Sequence, residues 1–150
     1  MYRMIRLNLV LALALAAAGC AKSPLGLAED ALSDAWARWK ASGVRDYTYR
    51  VQRVCFCPGI PTFVITVRSG AFVSATDLQT GAPADTAGYG EYLTIDKIFV
   101  LLDRHVAQKP ARFEGTYDGV LGYPIRVEID PVLNAVDEEL TINVSGFVRN

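Results

Sequence analysis

Six short segments of the chain alternate apolar with polar residues, and this alternation restricts the fold more than any other feature of the sequence. Side chains at positions i and i+2 of a β-strand point to the same face, so each segment is predicted to be a strand with one face on a core. Ser69-Gly70 is typical of a two-residue hairpin turn. The predicted strands are Asp46–Val54, Thr62–Arg68, Ala71–Asp77, Arg112–Tyr117, Pro124–Asp130 and Glu139–Phe147.

Two further segments repeat apolar residues at spacings of three and four, which predicts amphipathic helices. The first should run from about Leu27 to Ala41 and end at Gly43. The second follows Thr94 as its N-cap and is ended by Pro110. We therefore predict an α+β fold with about six mostly antiparallel strands. They form two helix-plus-three-strand halves, with both helices covering one sheet face.

The polar positions of the predicted strands share the other face of the sheet. A mixed polar face is expected wherever a sheet meets water, and the alternative is a docking surface for a protein or a glycan. The sequence leaves both open. The residues are Arg50, Gln52, Thr66, Arg68, Arg112, Glu114, Arg126, Glu128 and Asn143.

The segment Leu78–Tyr92 has no regular period and contains three glycines and a proline, so we predict a long loop. Loops of this length are usually functional or mobile. Tyr89 and Tyr92 either contact a partner or pack back onto the domain.

The N-terminus predicts export. Arg3 and Arg6 precede an apolar run, Leu7–Ala18. A helix of this run would span only ~18 Å, too short for a ~30 Å hydrocarbon core. A charged start, a short apolar middle and small residues at the end are typical of a cleavable signal peptide.

The segment Ala17-Ala18-Gly19-Cys20 resembles a bacterial lipobox. The resemblance implies that residues 1–19 are removed and that the thiol of Cys20 carries a diacylglycerol. Residues 20–26 are then the lipidated cysteine and a short tether, and residues 27–150 form a single α+β domain held at a membrane. An ordinary cleaved signal and an uncleaved anchor are the alternatives. No aspartate follows Cys20, which favours the outer membrane of the cell envelope.

Cys55 and Cys57 are the only cysteines after Cys20, and an exported protein meets conditions that permit a disulfide. Three alternatives stay open: a local disulfide, two free thiols, or a pair that handles redox equivalents or Cu(I). A structural zinc site needs four ligands, and His105 is the only histidine. We expect neither a metal site nor a cofactor.

The net charge and the motifs of the sequence limit the partners and the reactions that we expect for this chain. Removing residues 1–19 takes away two arginines and no acid, so the net charge falls from −1 to about −3. Without a basic stripe, nucleic acid is not an expected partner. The sequence lacks the hydrolase, zinc-protease and phosphate-loop motifs. Asp130, Asn134 and Asp137–Glu139 lack the central glycine of a calcium loop. We expect no catalytic residues, and paired carboxylates of a hydrolase are a third alternative.

Three motifs resemble an uncharacterised family of bacterial secreted proteins and lipoproteins that share a domain of unknown function. They are Asp46-Tyr47-Thr48-Tyr49, Cys55-Phe56-Cys57-Pro58 and Leu121-Gly122-Tyr123-Pro124, within a resemblance from Trp36 to Phe147. The family has no assigned activity. We therefore expect a non-catalytic envelope lipoprotein that contacts the membrane through its lipid and binds or scaffolds an envelope protein. The alternative is a thiol redox or Cu(I)-handling protein that uses Cys55 and Cys57.

Overall fold

The computed structural model describes residues 22–57, 61–135 and 137–150. These residues form two α-helices, α1 (Pro24–Ser42) and α2 (Ile95–Ala107), and six strands. The fold is α+β, as predicted. The strands are β1 (Tyr47–Val54), β2 (Thr62–Arg68), β3 (Ala71–Asp77), β4 (Arg112–Tyr117), β5 (Pro124–Asp130) and β6 (Leu140–Arg149).

The strands form one sheet in the order β3-β2-β1-β6-β5-β4. Every neighbouring pair is antiparallel. Each half of the chain supplies three consecutive strands, and the halves meet at the centre, where Val51 of β1 lies opposite Val144 of β6. The strand bounds agree with the alternation of the sequence to within two residues.

Helix α1 begins three residues before its predicted start at Leu27. Pro24 suits the first turn of a helix because the N–H that it lacks would have no helical partner there. The hydroxyl of Ser23 accepts a hydrogen bond from the N–H of Gly26 (3.1 Å), which caps the helix. The last three residues assigned to a tether from the sequence are therefore helical. Gly43 ends the helix in the left-handed conformation, as expected.

Both helices pack on the face of the sheet that the apolar positions share. Tyr49 of β1 and Ile65 of β2 are fully buried there. Trp36 of α1 stacks on Phe99 of α2, with ring centres 5.6 Å apart. Removal of this apolar surface from water is the main favourable contribution to folding.

Two buried tyrosines of β1 connect the sheet to the segment that leads into α2. The hydroxyl of Tyr49 donates to the carbonyl oxygen of Tyr92 (2.5 Å), and the hydroxyl of Tyr47 accepts from the N–H of Ile95 (3.1 Å). Burial raises the pKa of Tyr47 to about 12 and raises the pKa of Tyr49 well above its usual value. Both hydroxyls therefore keep their protons at neutral pH.

The connection between β4 and β5 lies directly against α1. Gly122 has a φ of +87°, and a Cβ at this position would lie 2.2 Å from the carbonyl oxygen of Ala35. Only glycine fits such a close approach of two backbones. Tyr123 follows and stacks on Phe147, with ring centres 4.3 Å apart. The Leu-Gly-Tyr-Pro motif therefore has a packing role.

Candidate functional site

One face of the sheet carries polar side chains and is covered by neither of the helices that the structure describes. In β1, the buried residues Tyr47, Tyr49 and Val51 alternate with Arg50, which is exposed, and Gln52, which is half-buried. We call this surface the open face. Its polar side chains stand at the positions that the alternation of the sequence predicted.

The β4–β5 part of the open face is an ion-paired cluster. Arg112 donates two hydrogen bonds to Glu114 (2.9 and 2.8 Å) and a third to Glu128 of β5 (3.0 Å). Arg126 donates two hydrogen bonds to the other oxygen of Glu128 (2.8 and 2.5 Å). Hydrogen bonding to Arg112 lowers the pKa of Glu114. Arg112 therefore stabilises the charged form of Glu114.

Amide side chains extend the hydrogen-bond network of the cluster across the centre of the sheet. Arg126 donates to the side-chain oxygen of Asn143 on β6 (3.0 Å). The amide nitrogen of Asn143 in turn donates to the side-chain oxygen of Gln52 on β1 (3.3 Å). One chain of hydrogen bonds therefore links side chains on four adjacent strands, from β4 to β1.

The other half of the open face carries hydroxyl groups at its centre. Thr66 of β2 lies opposite Thr48 of β1 and opposite Ser74 of β3. These three residues occupy neighbouring positions on three adjacent strands. The open face thus carries an ion-paired cluster on β4 and β5 and a group of hydroxyl side chains on β1, β2 and β3.

The long loop after β3 packs back onto the domain. Residues 82–84 run beside β3 and hydrogen-bond to its outer edge. Tyr89 lies against Phe63 of β2, with ring centres 4.7 Å apart, and Tyr92 is only 4% exposed. Of the two alternatives for these tyrosines, the structure shows packing.

Arg53 is an arginine of the covered face that the sequence analysis missed. It stands at an inward position of β1, and its guanidinium lies 4.6 Å from the ring centre of Tyr89 and 5.8 Å from that of Tyr92. Its Nε atom is buried and has no hydrogen-bond partner among the described residues. Because Arg53 lies two residues after the inward Val51, the alternation of β1 could have predicted its inward position.

Cys55 and Cys57 form a disulfide directly after β1, and their Cα atoms are 5.3 Å apart. The N–H of Cys57 donates to the carbonyl oxygen of Cys55 (2.8 Å), which closes a tight turn. Both cysteines are half-buried, whereas Phe56 between them is 79% exposed. Pro58 and Gly59, which follow in the sequence, lie outside the described residues. A disulfide is compatible with a structural bridge and with a redox pair.

The remaining candidate ligands do not converge. His105 is half-buried near the end of α2, and burial lowers its pKa. The carboxylate of Asp130 accepts from the N–H of Val132 (3.1 Å), which is a turn contact. Within the described ranges, no three His, Cys, Asp or Glu residues are arranged to hold a metal ion.

The predicted signal peptide and Cys20 lie outside the described residues. Lipidation of Cys20 therefore stays a prediction. Among residues that the structure describes, no helix combines the length and the apolar character needed to cross a membrane.

The fold and the open face define a two-layer α+β domain with one solvent-facing side of its sheet. The chain belongs to the family of unknown function DUF6174, which matches residues 31–149. The matched range begins within α1 and ends with the last residue of β6, so it contains the whole sheet. Membership in a family of unknown function is therefore confirmed. No curated protein and no solved structure matches the chain.

Proposed function

We propose that the chain is a bacterial envelope lipoprotein, anchored through Cys20, whose domain binds or scaffolds a protein partner on its open face without catalysing a reaction. The anchor is supported by the signal-like N-terminus and the Ala17-Ala18-Gly19-Cys20 segment. The outer membrane is the favoured location because no aspartate follows the cysteine.

The hydrogen-bonded chain across four strands is the observation that carries the binding role. Its arginine, carboxylate and amide groups are held in place before any partner arrives, so binding would order few additional side chains. Charges of both signs at fixed positions favour a partner with the complementary pattern. A net charge of about −3 after removal of residues 1–19 supports a protein rather than a nucleic acid as that partner.

The lowered pKa of Glu114 supports a non-catalytic role. A general acid or base works best when its pKa lies near the operating pH. Glu114 has the opposite property, because hydrogen bonds from Arg112 lower its pKa. Glu114 therefore suits recognition better than proton transfer.

The anchor is tested on the full chain, expressed in a bacterial host and recovered from the envelope. Mass spectrometry should find an N-terminus at Cys20 that carries a diacylglycerol and fatty acyl groups. The variant Cys20→Ala should lose the lipid and leave the membrane fraction. An intact Met1 with an unmodified Cys20 thiol would contradict the anchor.

The binding surface is tested by capture of envelope proteins on the full chain. The variant Arg126→Ala should lose the captured partner, because it removes the link between the ion pairs and Asn143. Arg104→Ala is the matched control, since Arg104 is also an exposed, ion-paired arginine but lies on α2. Equal capture by both variants would place the contact elsewhere.

The disulfide favours a second candidate, a thiol redox or Cu(I)-handling role. A bridge between residues two apart constrains little of the unfolded chain, so stability alone explains it poorly. Reduction would take up two electrons and two protons from a dithiol donor and yield two thiols, which are suitable ligands for Cu(I). This candidate would be excluded if a mild dithiol did not reduce the Cys55–Cys57 disulfide and if the reduced cysteines did not bind Cu(I).

A further inference from the structure

The two ends of the sheet differ in what they carry. Because neighbouring strands are antiparallel, β1 and β5 both finish at the end where β6 begins: Val54 lies opposite Thr141, and Ile129 lies opposite Leu140. Helix α1 begins at the same end, where Pro24 lines a groove together with residues from the start of β4. We call this the anchor end of the sheet.

Exposed apolar residues in the connections concentrate at the anchor end. Among the described residues outside helices and strands, the exposed large apolar side chains are Phe56 (79%), Leu78 (42%), Val120 (83%), Val132 (55%) and Leu133 (61%). Four of these follow β1, β3 or β5 at the anchor end. Val120 lies at the other end, together with the exposed strand residues Phe72, Val73, Ile125 and Val148. We call these four residues, Phe56, Leu78, Val132 and Leu133, the apolar rim.

A groove lined by apolar residues together with Arg112 and Glu114 continues the rim towards α1. It has a volume of about 480 Å³ and lies between the first turns of α1 and the start of β4. Leu25 and Ala28 of α1 line one side, Phe113 lines the other, and Leu133 of the rim lies at its border. The apolar surface therefore extends from the rim to the residues that the N-terminal segment must approach.

Chain length fixes where the lipid can be. Only four peptide units separate Cys20 from Pro24, and an extended chain covers ~3.3–3.6 Å per residue. The Cα atom of an acylated Cys20 therefore lies within ~14 Å of the first residue of α1. No other end of the sheet is so close to the attachment point.

We propose that the apolar rim contacts the surface of the bilayer that holds the lipid anchor, so that the domain stands on its anchor end. This inference rests on the proposed lipidation of Cys20. Apolar side chains at the headgroup boundary leave water, and this adds to the attraction of the acyl chains. The acidic residues Asp137–Glu139 lie in the β5–β6 connection at the same end, so the contact depends on apolar side chains rather than on attraction to anionic lipids.

The orientation also explains how the open face stays accessible. Strands that end at the membrane run away from its surface, so both faces of the sheet stand upright on the bilayer. The ion-paired cluster and the hydroxyl side chains of the open face then point sideways, towards partners in the same compartment.

The test uses the full, processed chain with one added cysteine in each variant, reconstituted into phosphatidylcholine vesicles. Leu133→Cys places a fluorescent label on the rim, and Val120→Cys is the matched control at the opposite end. Both positions are exposed loop residues, so the fold should tolerate either label, and equal thermal unfolding checks this. The Cys55–Cys57 disulfide and an acylated Cys20 leave the added thiol as the single labelling site.

The rim label should lose about half of its emission to quenchers on the lipid chains, because interfacial groups lie ~5–10 Å into the headgroup boundary. The Val120→Cys label should be unaffected, and high salt should not change either result. Equal exposure of both labels on vesicle-bound protein would overturn the inference and leave the anchor intact. A second label on Cys20, with protein that stays off the vesicles, would overturn the anchor and the inference together.

Discussion

The two faces of the sheet are built from the same strands but differ in nearly every property. On the covered face, side chains such as Tyr49 are fully buried. On the open face, Arg112 and Arg126 are about half exposed and form ion pairs with glutamates. Buried apolar contacts contribute much more to stability than exposed ion pairs do. This difference indicates that side chains of the open face can be substituted without loss of the fold. A recognition surface requires this property.

The largest expected effect lies on the covered side, at the contact between Gly122 and α1. Gly122→Ala should lower the free energy of unfolding by about 3–5 kcal/mol, because the new Cβ meets the carbonyl oxygen of Ala35 and the positive φ is unfavourable. Gly119→Ala is the control in the same connection, since nothing lies within 4 Å of its Cβ position. Denaturant unfolding measures both, and equal losses would contradict this packing role.

The second-largest expected effect is a loss of folding stability at alkaline pH, which arises from Tyr47 on the covered face. The folded pKa of Tyr47 is about 12, above its usual value of 10.0, so its contribution is complete below pH 10 and is lost as the pH rises towards 12. The expected loss is about 2–3 kcal/mol. Unfolding experiments between pH 9 and 12 measure it, and Tyr47→Phe should flatten this part of the profile. A profile unchanged by Tyr47→Phe would contradict the assignment.

The disulfide should contribute less. Replacing Cys55 and Cys57 together with serine should lower the free energy of unfolding by about 1–2 kcal/mol, because the closed loop is very short. Thermal unfolding of the oxidised chain and the double variant gives the difference. A loss above about 4 kcal/mol would show that the bridge organises the sheet end and would weaken the redox candidate.

The smallest effect belongs to the open face. Arg126→Ala should change the free energy of unfolding by less than about 1 kcal/mol, because its partners are partly solvated. The same variant is expected to lose partner capture. A large decrease in the free energy of unfolding would contradict the proposed difference between the two faces. The loss of partner capture would then say nothing about recognition.

Local patterns made most of the fold predictable. Strand alternation depends only on positions i and i+2, so the strand bounds and the polar face followed from the sequence. The start of α1 was predicted too late because Pro24 was assigned to a tether, whereas proline is well suited to a first helical turn. Membership in a family of unknown function was also anticipated.

Contacts between distant segments were not predictable in the same way. The hydrogen bond between Asn143 and Gln52 requires β6 to pair with β1 in one register, and residues so far apart carry no local signal for it. The packing of Tyr89 on Phe63 also depends on tertiary structure, so the loop alternatives stayed open until the fold was known. Arg53 escaped notice because an arginine at an inward position contradicts simple alternation.

The most direct test of the open face as the binding surface is photo-cross-linking in the bacterial envelope, with the reactive side chain placed at one position of the full chain at a time. Thr116 lies opposite Arg126 on the open face, and Val100 is an exposed residue of α2 on the helical side. The account predicts one discrete cross-linked protein species from Thr116 and none from Val100. The reverse pattern would contradict it.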